Sequence, residues 1–223
     1  MKSGMKKRGS VRAELCAYGV KIAAAHLVAG AGGNISAREG NIVWMKPSGL
    51  AMDEITPADL CGLDLATGRQ VRGDKRPTSE FNMHLGVYRM RPDAAAVFHT
   101  HSPWASGVIS SGVDLKPMFA EFIVDLGRVG KVGYITPTTE ALADAVADEA
   151  RDHDTILMVN HGVLAVGVTM RHAYFKCVVV EDAAISMVAA SVVGRPRFLT
   201  PRQSKELLAL DRVKHRISKM EKN

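Results

Sequence analysis

The sequence predicts an α/β fold with three layers, α/β/α, in which helices cover both faces of a central mixed, largely antiparallel sheet. Three observations lead to this prediction. Between residues 35 and 72, short apolar runs are joined in pairs by polar turns, which is typical of β-hairpins. After residue 80, segments of helical and strand-like periodicity alternate. Residues 170–193 then form one long helical run that is apolar on most faces, as in a central or interfacial helix.

The elements of the N-terminal half follow from residue spacing. Behind Ser10, a favourable N-cap, apolar residues recur at helical spacing until Gly30. The next apolar runs are short and bounded by turns, and a second helical pattern stops at Pro92. The predicted elements are a helix over residues 10–29, strands over residues 35–37, 42–45, 60–65 and 69–72, and a helix over residues 80–91.

The C-terminal half continues with strands and helices in alternation. Short apolar runs indicate buried strands, while Pro103 and Thr138 stand where helices are expected to begin. The glycine-punctuated segment 127–133 is predicted to be a loop. The predicted elements are strands over residues 95–100, 132–135, 155–159 and 163–168, and helices over residues 103–111, 138–151 and 170–193.

Charge is unevenly distributed along the 223 residues. The net charge is +6, and much of the excess lies at the two ends. We predict a flexible basic leader over residues 1–9, one domain over residues 10–195, and a basic, helical tail over residues 196–223. The lack of aromatic residues after Phe198 argues against nucleic acid as a partner. A positive field would attract an anionic small-molecule substrate.

Secretion and membrane insertion are both disfavoured. The residues behind the leader carry charges, so no signal peptide is indicated. No apolar run reaches the roughly 18 residues that a membrane span requires. Cys16, Cys61 and Cys177 are too widely spaced to indicate a disulfide framework or a thiolate metal site. The sequence therefore predicts a cytoplasmic protein with no membrane partner.

Two histidines at the end of a predicted strand are the strongest sign of chemistry. Side chains two residues apart on a strand point the same way, so His99 and His101 present both imidazoles to one place. His161 follows a second apolar run, and three His ligands with an open position are typical of catalytic zinc. Glu80 supplies a carboxylate that can act as a base. His84, one helical turn later, is expected to pack under the site or bond locally.

Three turns rich in small residues are candidates for binding an anion. They are Gly30–Asn34, Pro47–Gly49 and Thr78–Ser79, the last of which precedes a helix N-terminus that favours negative charge. Each turn taken alone is explained equally well by ordinary turn chemistry, with Thr78 or Ser79 as a helix N-cap. A His-x-His pair taken alone is likewise explained by loop capping at a strand end.

Taken together, these motifs resemble a known family. The resemblance covers roughly residues 10–195, and it is to the class II aldolase/adducin family, particularly to members of the fuculose 1-phosphate aldolase type. The matching motifs occur in the family's order and approximate spacing; they are Gly33-Asn34, Ser48-Gly49, Thr78-Ser79-Glu80, His99-Thr100-His101 and Asn160-His161-Gly162.

The resemblance implies a ligand set and an assembly. His99, His101 and His161 would hold Zn²⁺, or Mn²⁺ or Co²⁺ in its place, with Glu80 as the acid/base. Burial is expected to raise the pKa of Glu80, and the metal charge to oppose that shift. Family members are usually homotetramers with sites near subunit boundaries. The implied phosphate cradle consists of Gly33, Asn34, Ser48, Gly49, Thr78 and Ser79.

The activity implied is cleavage of a ketose 1-phosphate, similar to fuculose 1-phosphate, into dihydroxyacetone phosphate and an aldehyde. The family's 4-epimerases carry aspartate where Glu80 stands, so the glutamate favours an aldolase. A decarboxylase of a sugar-acid phosphate and a methylthioribulose-phosphate dehydratase share the metal ligands and stay open. A non-catalytic oligomerisation module of the adducin kind is a further alternative, although it should lack the ligands that this chain retains.

Three departures from the family concern the substrate. Ala31 stands where the phosphate loop has a threonine, and Glu121 stands where a neighbouring subunit supplies a tyrosine acid. No tyrosine follows Tyr174, so the family's C-terminal tyrosine is missing as well. The resemblance thus retains the metal and phosphate half of the site and alters the half that recognises the aldehyde.

Overall fold

The computed structural model describes residues 10–222, with side chains up to Met220, so the predicted leader over residues 1–9 lies outside the described residues. The strands are Asn34–Glu39 (β1), Ile42–Met45 (β2), Cys61–Asp64 (β3), Gln70–Arg72 (β4), Ala96–Thr100 (β5), Val129–Val132 (β6), Thr155–Met158 (β7) and Gly162–Gly167 (β8). The helices are Val11–Ala24 (α1), Phe81–Met90 (α2), Pro103–Ser110 (α3), Ala120–Asp125 (α4), Glu140–Glu149 (α5), Met170–Val193 (α6), Pro201–Ala209 (α7) and Asp211–Lys222 (α8). Within this range, none of the helices combines the length and apolar character that a bilayer span requires.

One sheet joins the eight strands in the order β4-β3-β2-β1-β5-β8-β7-β6. The β6–β7 pair is parallel, and the other neighbouring pairs are antiparallel. Helices α2 and α5 cover one face of the sheet, and α1, α3 and α6 cover the other. The predicted three-layer fold with a mixed, largely antiparallel sheet is therefore confirmed.

The two cores follow from the alternation of side chains along the strands. On β5, Val97 faces the core beneath α2 and α5, whereas Ala96 and Phe98 face the core beneath α1 and α6. On β2, Met45 and Trp44 divide between the two cores in the same way. Because both faces of these strands are buried, their sequences are continuous apolar runs.

Two helix boundaries differ from the prediction for local reasons. Helix α1 ends at Ala24, not near residue 29, because His26 takes a left-handed backbone (φ 55°) that a helix cannot continue. The N-cap of α5 is Thr139, whose hydroxyl accepts from the Leu142 N–H. Thr138 instead has a φ of 69°, which is strained for a β-branched residue.

The segment 127–133 is where the sequence prediction is wrong, because it is not a loop. Val129–Val132 forms β6 and pairs in parallel with β7, three residues before the strand predicted at 132–135. Gly130 is required there by packing: a Cβ would lie 2.7 Å from Glu149 Cγ and 2.8 Å from the His153 ring. Helix α4 is a further element that the sequence pattern does not predict.

The basic tail is helical, as predicted, and folds back on the domain. Thr200 caps α7 in a capping box with Gln203. In α8, the Arg216 guanidinium donates to Asp125 Oδ2 on α4 at 2.7 Å. The same guanidinium lies 3.6 Å from the Glu121 carboxylate, so Glu121 is paired with the tail as well.

Glu181 on α6 caps helix α3 from outside that helix. Its carboxylate oxygens accept hydrogen bonds from the Trp104 N–H (3.0 Å) and the Ala105 N–H (2.8 Å). Ser102, at the N-cap position of α3, makes no such side-chain bond. The buried carboxylate thus lies at the positive end of the helix and fixes the chain just after His101.

We expect Glu181→Gln to lower the free energy of unfolding by about 1–3 kcal/mol, because the amide would point an N–H group at a backbone donor. Chemical denaturation followed by circular dichroism measures the change. Asp182→Asn is the matched control, since Asp182 is the exposed neighbour. The control should change the free energy of unfolding by less than about 0.5 kcal/mol. Equal losses in both variants would contradict the capping role.

Candidate active site

Three histidines come together beside the C-terminal end of the central strand β5. His99 lies on β5, His101 follows just beyond the end of that strand, and His161 lies in the turn between β7 and β8. Strands β5 and β8 are neighbours, with His99 opposite Leu164, so the β7–β8 turn lies beside the end of β5. The strand order therefore brings together histidines that are distant in the sequence, as their motifs predict.

The ring nitrogens of these histidines form a compact donor set. One nitrogen from each of the three rings lies within 4.8 Å of the others. The Nε2 atoms of His99 and His101 are 3.0 Å apart. Two nitrogen ligands on a tetrahedral zinc ion, each about 2.0–2.1 Å from it, are roughly 3.3 Å apart. The spacing of the rings is therefore close to that of a metal centre.

The two residues that flank His161 are required by the structure, Asn160 by its backbone conformation and Gly162 by close packing. Asn160 takes the left-handed backbone (φ 55°) that asparagine tolerates, and its N–H donates to Ser110 Oγ on α3 at 3.0 Å. Gly162 allows β8 to pass close to β5. A Cβ at Gly162 would overlap the Thr100 carbonyl oxygen and lie 3.2 Å from the His99 and His101 rings. These two neighbours therefore aim His161 at the other rings.

Hydrogen bonding sets the ligand form of His99. Its Nδ1–H donates to the Val163 carbonyl oxygen, 3.0 Å away on β8, which leaves the Nε2 lone pair facing the cluster. Burial lowers the pKa of His99 to about 3, and burial also lowers the pKa of His101. Both rings are therefore neutral at pH 7, as metal coordination requires.

The Glu80 carboxylate lies against the histidine cluster. Its Oε1 is 3.2 Å from His161 Nε2, and its Oε2 is 3.4 Å from His99 Nε2. Oε2 also accepts a hydrogen bond from Asn34 Nδ2 at 2.9 Å. Oε1 is buried and accepts no hydrogen bond from the part of the chain that the structure describes. The two oxygens of one carboxylate thus have different surroundings.

The expectation of a raised Glu80 pKa is wrong. Burial acts in that direction, but the adjacent His161 and His99 rings and the hydrogen bond from Asn34 outweigh it. Together they hold the pKa of Glu80 below its usual range. The carboxylate is therefore ionised at pH 7, the form in which it can take up a proton.

This donor set fits a divalent cation. It combines three imidazoles with a buried carboxylate oxygen that has no hydrogen-bond partner among residues 10–222. Imidazole nitrogens suit Zn²⁺ and several other transition ions, and three histidines leave an open position for a substrate. His99, His101 and His161 are thus the residues that can hold a metal.

A buried lysine joins the three turns that the sequence marks as anion sites. Lys46 Nζ donates to the Ala31 carbonyl oxygen in the first turn at 2.9 Å. The Lys46 carbonyl oxygen accepts from the Thr78 N–H at 3.2 Å, and the Ser48 N–H donates to the Arg76 carbonyl oxygen at 2.9 Å. Lys46 therefore contacts the first turn through its ammonium and the third through its backbone, and burial lowers the pKa of the ammonium.

The predicted cradle residues differ in what they offer a ligand. Gly33 has a φ of 64°, and a Cβ there would lie 2.8 Å from the His99 carbonyl oxygen, so packing alone demands glycine. The Asn34 side chain is bonded on both sides, to Glu80 and to His84. Glu80, and neither residue of Thr78–Ser79, occupies the N-cap position of α2. Among the cradle residues, the exposed ones are Ser48, Gly49 and Ser79.

Sequence reasoning missed Lys46 and the residues behind Asn34. The signal for Lys46 is a lysine that ends an apolar strand directly before Pro47–Gly49. His84 is buried, as expected, and bonds to Asn34 and Ser36. The signal for that contact is the two-residue spacing of Asn34 and Ser36 on β1.

Comparison with known proteins identifies the family. The sequence profile of the Class II Aldolase and Adducin N-terminal domain matches residues 13–188. The chain belongs to this family. The resemblance that the motifs indicate is thereby confirmed.

Aldolases of sugar phosphates are among its relatives within the family. The chain is 37% identical over 201 residues to a 5-deoxy-D-ribulose 1-phosphate aldolase from Bacillus thuringiensis serovar kurstaki, a match that covers 89% of this chain and 93% of that protein. It is 36% identical over 159 residues to an L-fuculose phosphate aldolase from Methanococcus vannielii, covering 70% and 84%. A solved L-fuculose 1-phosphate aldolase shares the fold with a TM-score of 0.83 and 29% identity, covering 90% and 95%. The chain is therefore a class II aldolase, a lyase of a metal-dependent family.

We expect Gly162→Ala to weaken Zn²⁺ binding by about tenfold or more, because the added Cβ would collide with the Thr100 carbonyl and displace the His99 and His101 rings. Competition with a chromogenic chelator measures the affinity. Gly107→Ala on α3 is the control, since a Cβ there meets nothing within 4 Å. It should bind Zn²⁺ like the unaltered chain. Unchanged affinity in Gly162→Ala would contradict the three-histidine site.

Proposed function

We propose that the protein is a Zn²⁺-dependent aldolase that cleaves a ketose 1-phosphate into dihydroxyacetone phosphate and an aldehyde. The observation that carries the proposal is the cluster of three imidazoles with an ionised Glu80 beside the turns around Lys46. His99, His101 and His161 would hold the metal, with Mn²⁺ or Co²⁺ as alternatives to Zn²⁺. The sugar-phosphate aldolases among the relatives support the same reaction class.

The reaction needs a place for negative charge and a carrier for one proton. In cleavage, the C4 hydroxyl gives its proton to Glu80 as the C3–C4 bond breaks, which releases an aldehyde and leaves the electron pair on the three-carbon fragment as an enediolate. When bound, the metal supplies Lewis-acid stabilisation of that charge. In the condensation direction, ionised Glu80 removes the proton from the carbon that becomes C3, and in the cleavage direction it returns that proton.

The substrate phosphate would bind in the cradle of Gly33, Asn34, Ser48, Gly49, Thr78 and Ser79. The Lys46 ammonium among these turns would balance the phosphate charge. The N-terminus of α2, which follows Thr78 and Ser79, adds free backbone N–H groups. The net charge of +6 favours the approach of such an anion.

At its other end, the substrate would carry a short chain that ends in a methyl group. The two relatives are named for 5-deoxyribulose 1-phosphate and fuculose phosphate, which are both deoxyketose phosphates. By the resemblance, Ala31 and Glu121 stand where fuculose-type members carry a threonine and a tyrosine. We therefore favour 5-deoxyribulose 1-phosphate, whose cleavage gives dihydroxyacetone phosphate and acetaldehyde.

One other reaction has a relative in its favour. A 3-oxo-tetronate 4-phosphate decarboxylase from Escherichia coli is also similar to the chain. Loss of CO₂ from a carbon beside a carbonyl leaves the same kind of electron pair, so the same donor set would serve it. Both reactions release dihydroxyacetone phosphate, so the co-product, an aldehyde or CO₂, distinguishes them.

A panel of substrates tests the proposal. With Zn²⁺, the protein should release dihydroxyacetone phosphate from 5-deoxyribulose 1-phosphate and fuculose 1-phosphate, detected by NADH oxidation through glycerol 3-phosphate dehydrogenase. Ribulose 5-phosphate, methylthioribulose 1-phosphate and 3-oxo-tetronate 4-phosphate serve as probes for epimerase, dehydratase and decarboxylase activity. Release of CO₂ and dihydroxyacetone phosphate from 3-oxo-tetronate 4-phosphate, with no cleavage of either ketose 1-phosphate, would replace the aldolase assignment. No turnover and no bound metal would favour an adducin-like module.

We expect Glu80→Gln to keep its metal and lose about a hundredfold or more in kcat, because an amide cannot carry the proton. His101→Ala should lose metal and activity together. Elemental analysis of the purified variants, measured beside kcat, separates the two effects. His215→Ala, which removes an exposed histidine on α8, should change neither quantity. Normal turnover in Glu80→Gln would remove the acid/base role.

We also propose a cytoplasmic homotetramer with its sites near subunit boundaries. Ile185, Val192 and Val193 leave part of α6 apolar and exposed, at 39%, 80% and 88% of their surface. A second copy of the chain would cover this surface. The three cysteines are free thiols, which supports a reducing compartment.

A further inference from the structure

Five buried polar side chains form a continuous hydrogen-bonded chain that ends at Glu80. The Tyr88 hydroxyl is 3.0 Å from Ser36 Oγ, which is 2.7 Å from His84 Nδ1. His84 Nε2 is bonded to Asn34 Oδ1, and Asn34 Nδ2 donates to Glu80 Oε2 at 2.9 Å. All five residues are buried, so each bond replaces one that water would otherwise make.

This hydrogen-bonded chain exists because the distance between alternate residues of β1 matches the distance of one turn along α2. Asn34 and Ser36 are two residues apart on β1, which is about 6.6 Å along a strand. Glu80, His84 and Tyr88 are four residues apart along α2 and its N-cap, which is about 6 Å per step along a helix. The side chains of the two elements therefore alternate, helix then strand, from Tyr88 to Glu80.

The orientation of the Asn34 amide sets the direction of every bond. Asn34 Nδ2 donates to Glu80 Oε2, which leaves Oδ1 facing His84. Oδ1 accepts from the His84 Nε2–H, and burial lowers the pKa of His84 to about 4, so the ring is neutral. Its Nδ1 therefore accepts from the Ser36 hydroxyl. Tyr88, whose pKa burial raises, donates to Ser36 Oγ.

We propose that His84, supported by Ser36 and Tyr88, is a positioning residue that decides which oxygen of Glu80 reacts. Asn34 holds Oε2. Oε1 is left buried without a hydrogen-bond partner in the described chain, 3.2 Å from His161 Nε2. Oε1 is then the atom that exchanges the proton with substrate carbon. The identity of that carbon rests on the proposed function.

The hydrogen-bonded chain of side chains orients Glu80 and does not conduct protons to it. The Asn34 amide lies between His84 and Glu80, and an amide does not readily pass a proton on. A carboxylate has a broad torsional preference about its last bond, so a single bond to Oε2 removes much of that freedom. Misplacement of a reacting group by about 1 Å costs on the order of a hundredfold in rate.

Loss of His84 should lower kcat and leave substrate and metal binding intact. In the Zn²⁺-loaded protein, His84→Leu should reduce kcat by about 10- to 100-fold, with KM and Zn²⁺ affinity within about threefold. His84→Gln should recover most of kcat, since its amide can donate to Asn34 and accept from Ser36. A lower Tm with unchanged kcat per folded molecule would reduce His84 to a structural residue and overturn the inference.

Tyr88→Phe tests the same chain if His84→Leu does not fold. It removes the distal hydroxyl alone and should lower kcat by about threefold, in line with the net worth of one hydrogen bond. Tyr174→Phe is the matched control, since Tyr174 on α6 packs against Tyr18. It should leave kcat unchanged. Equal kcat in both variants would contradict a role for the chain's outer members.

The tautomer of His84 gives a readout that does not depend on turnover. Nitrogen NMR of histidine-labelled protein at pH 7 should show His84 protonated on Nε2 and bare on Nδ1. The opposite tautomer would overturn the inference, because Asn34 would then point its oxygen at Glu80. The expected tautomer in a protein that cleaves no ketose 1-phosphate would support the positioning of Glu80 and remove the proposed substrate.

Discussion

The direct antiparallel pairing of β5 with β8 is the constraint on which the site depends. It places the Val163 carbonyl where it accepts the Nδ1 proton of His99, and it carries His161 to the end of β5. Gly162 permits the close approach of the two strands. A one-residue slip of either strand would turn its side chains to the opposite face and separate the three rings. The metal ligands are thus a property of the sheet's register.

The site holds one buried positive group and one buried negative group in different places. The buried ammonium of Lys46 is bonded to a loop carbonyl in the region of the small-residue turns, and the buried carboxylate of Glu80 is bonded to Asn34 beside the imidazoles. Each buried charge therefore has one hydrogen bond to the fold, which offsets part of the cost of keeping it away from water. The arrangement is preorganised, so little of it must move when an anion and a cation bind.

The fold and the convergence of the three histidines can be predicted from the sequence because their signals are local. Strand periodicity places His99 and His101 together, and Gly162 after His161 marks a turn. Packing between distant elements is not visible in this way: Gly130 looks like a loop residue but serves the contact with Glu149. The Glu80 pKa follows from donors on β1 and near β8, and Lys46 acts through turns on other segments, so neither could be derived from neighbours along the chain.

The two edge strands of the sheet, β4 and β6, are unsuited to pairing with another sheet. At one end, β4 is three residues long, exposed throughout, and closes with Arg72. At the other, β6 turns the charged Lys131 to solvent. Short, charged margins of this kind discourage strand-to-strand growth between molecules, including the growth that leads to aggregation. Neither edge therefore favours extension of the eight-stranded sheet by strands of a second molecule.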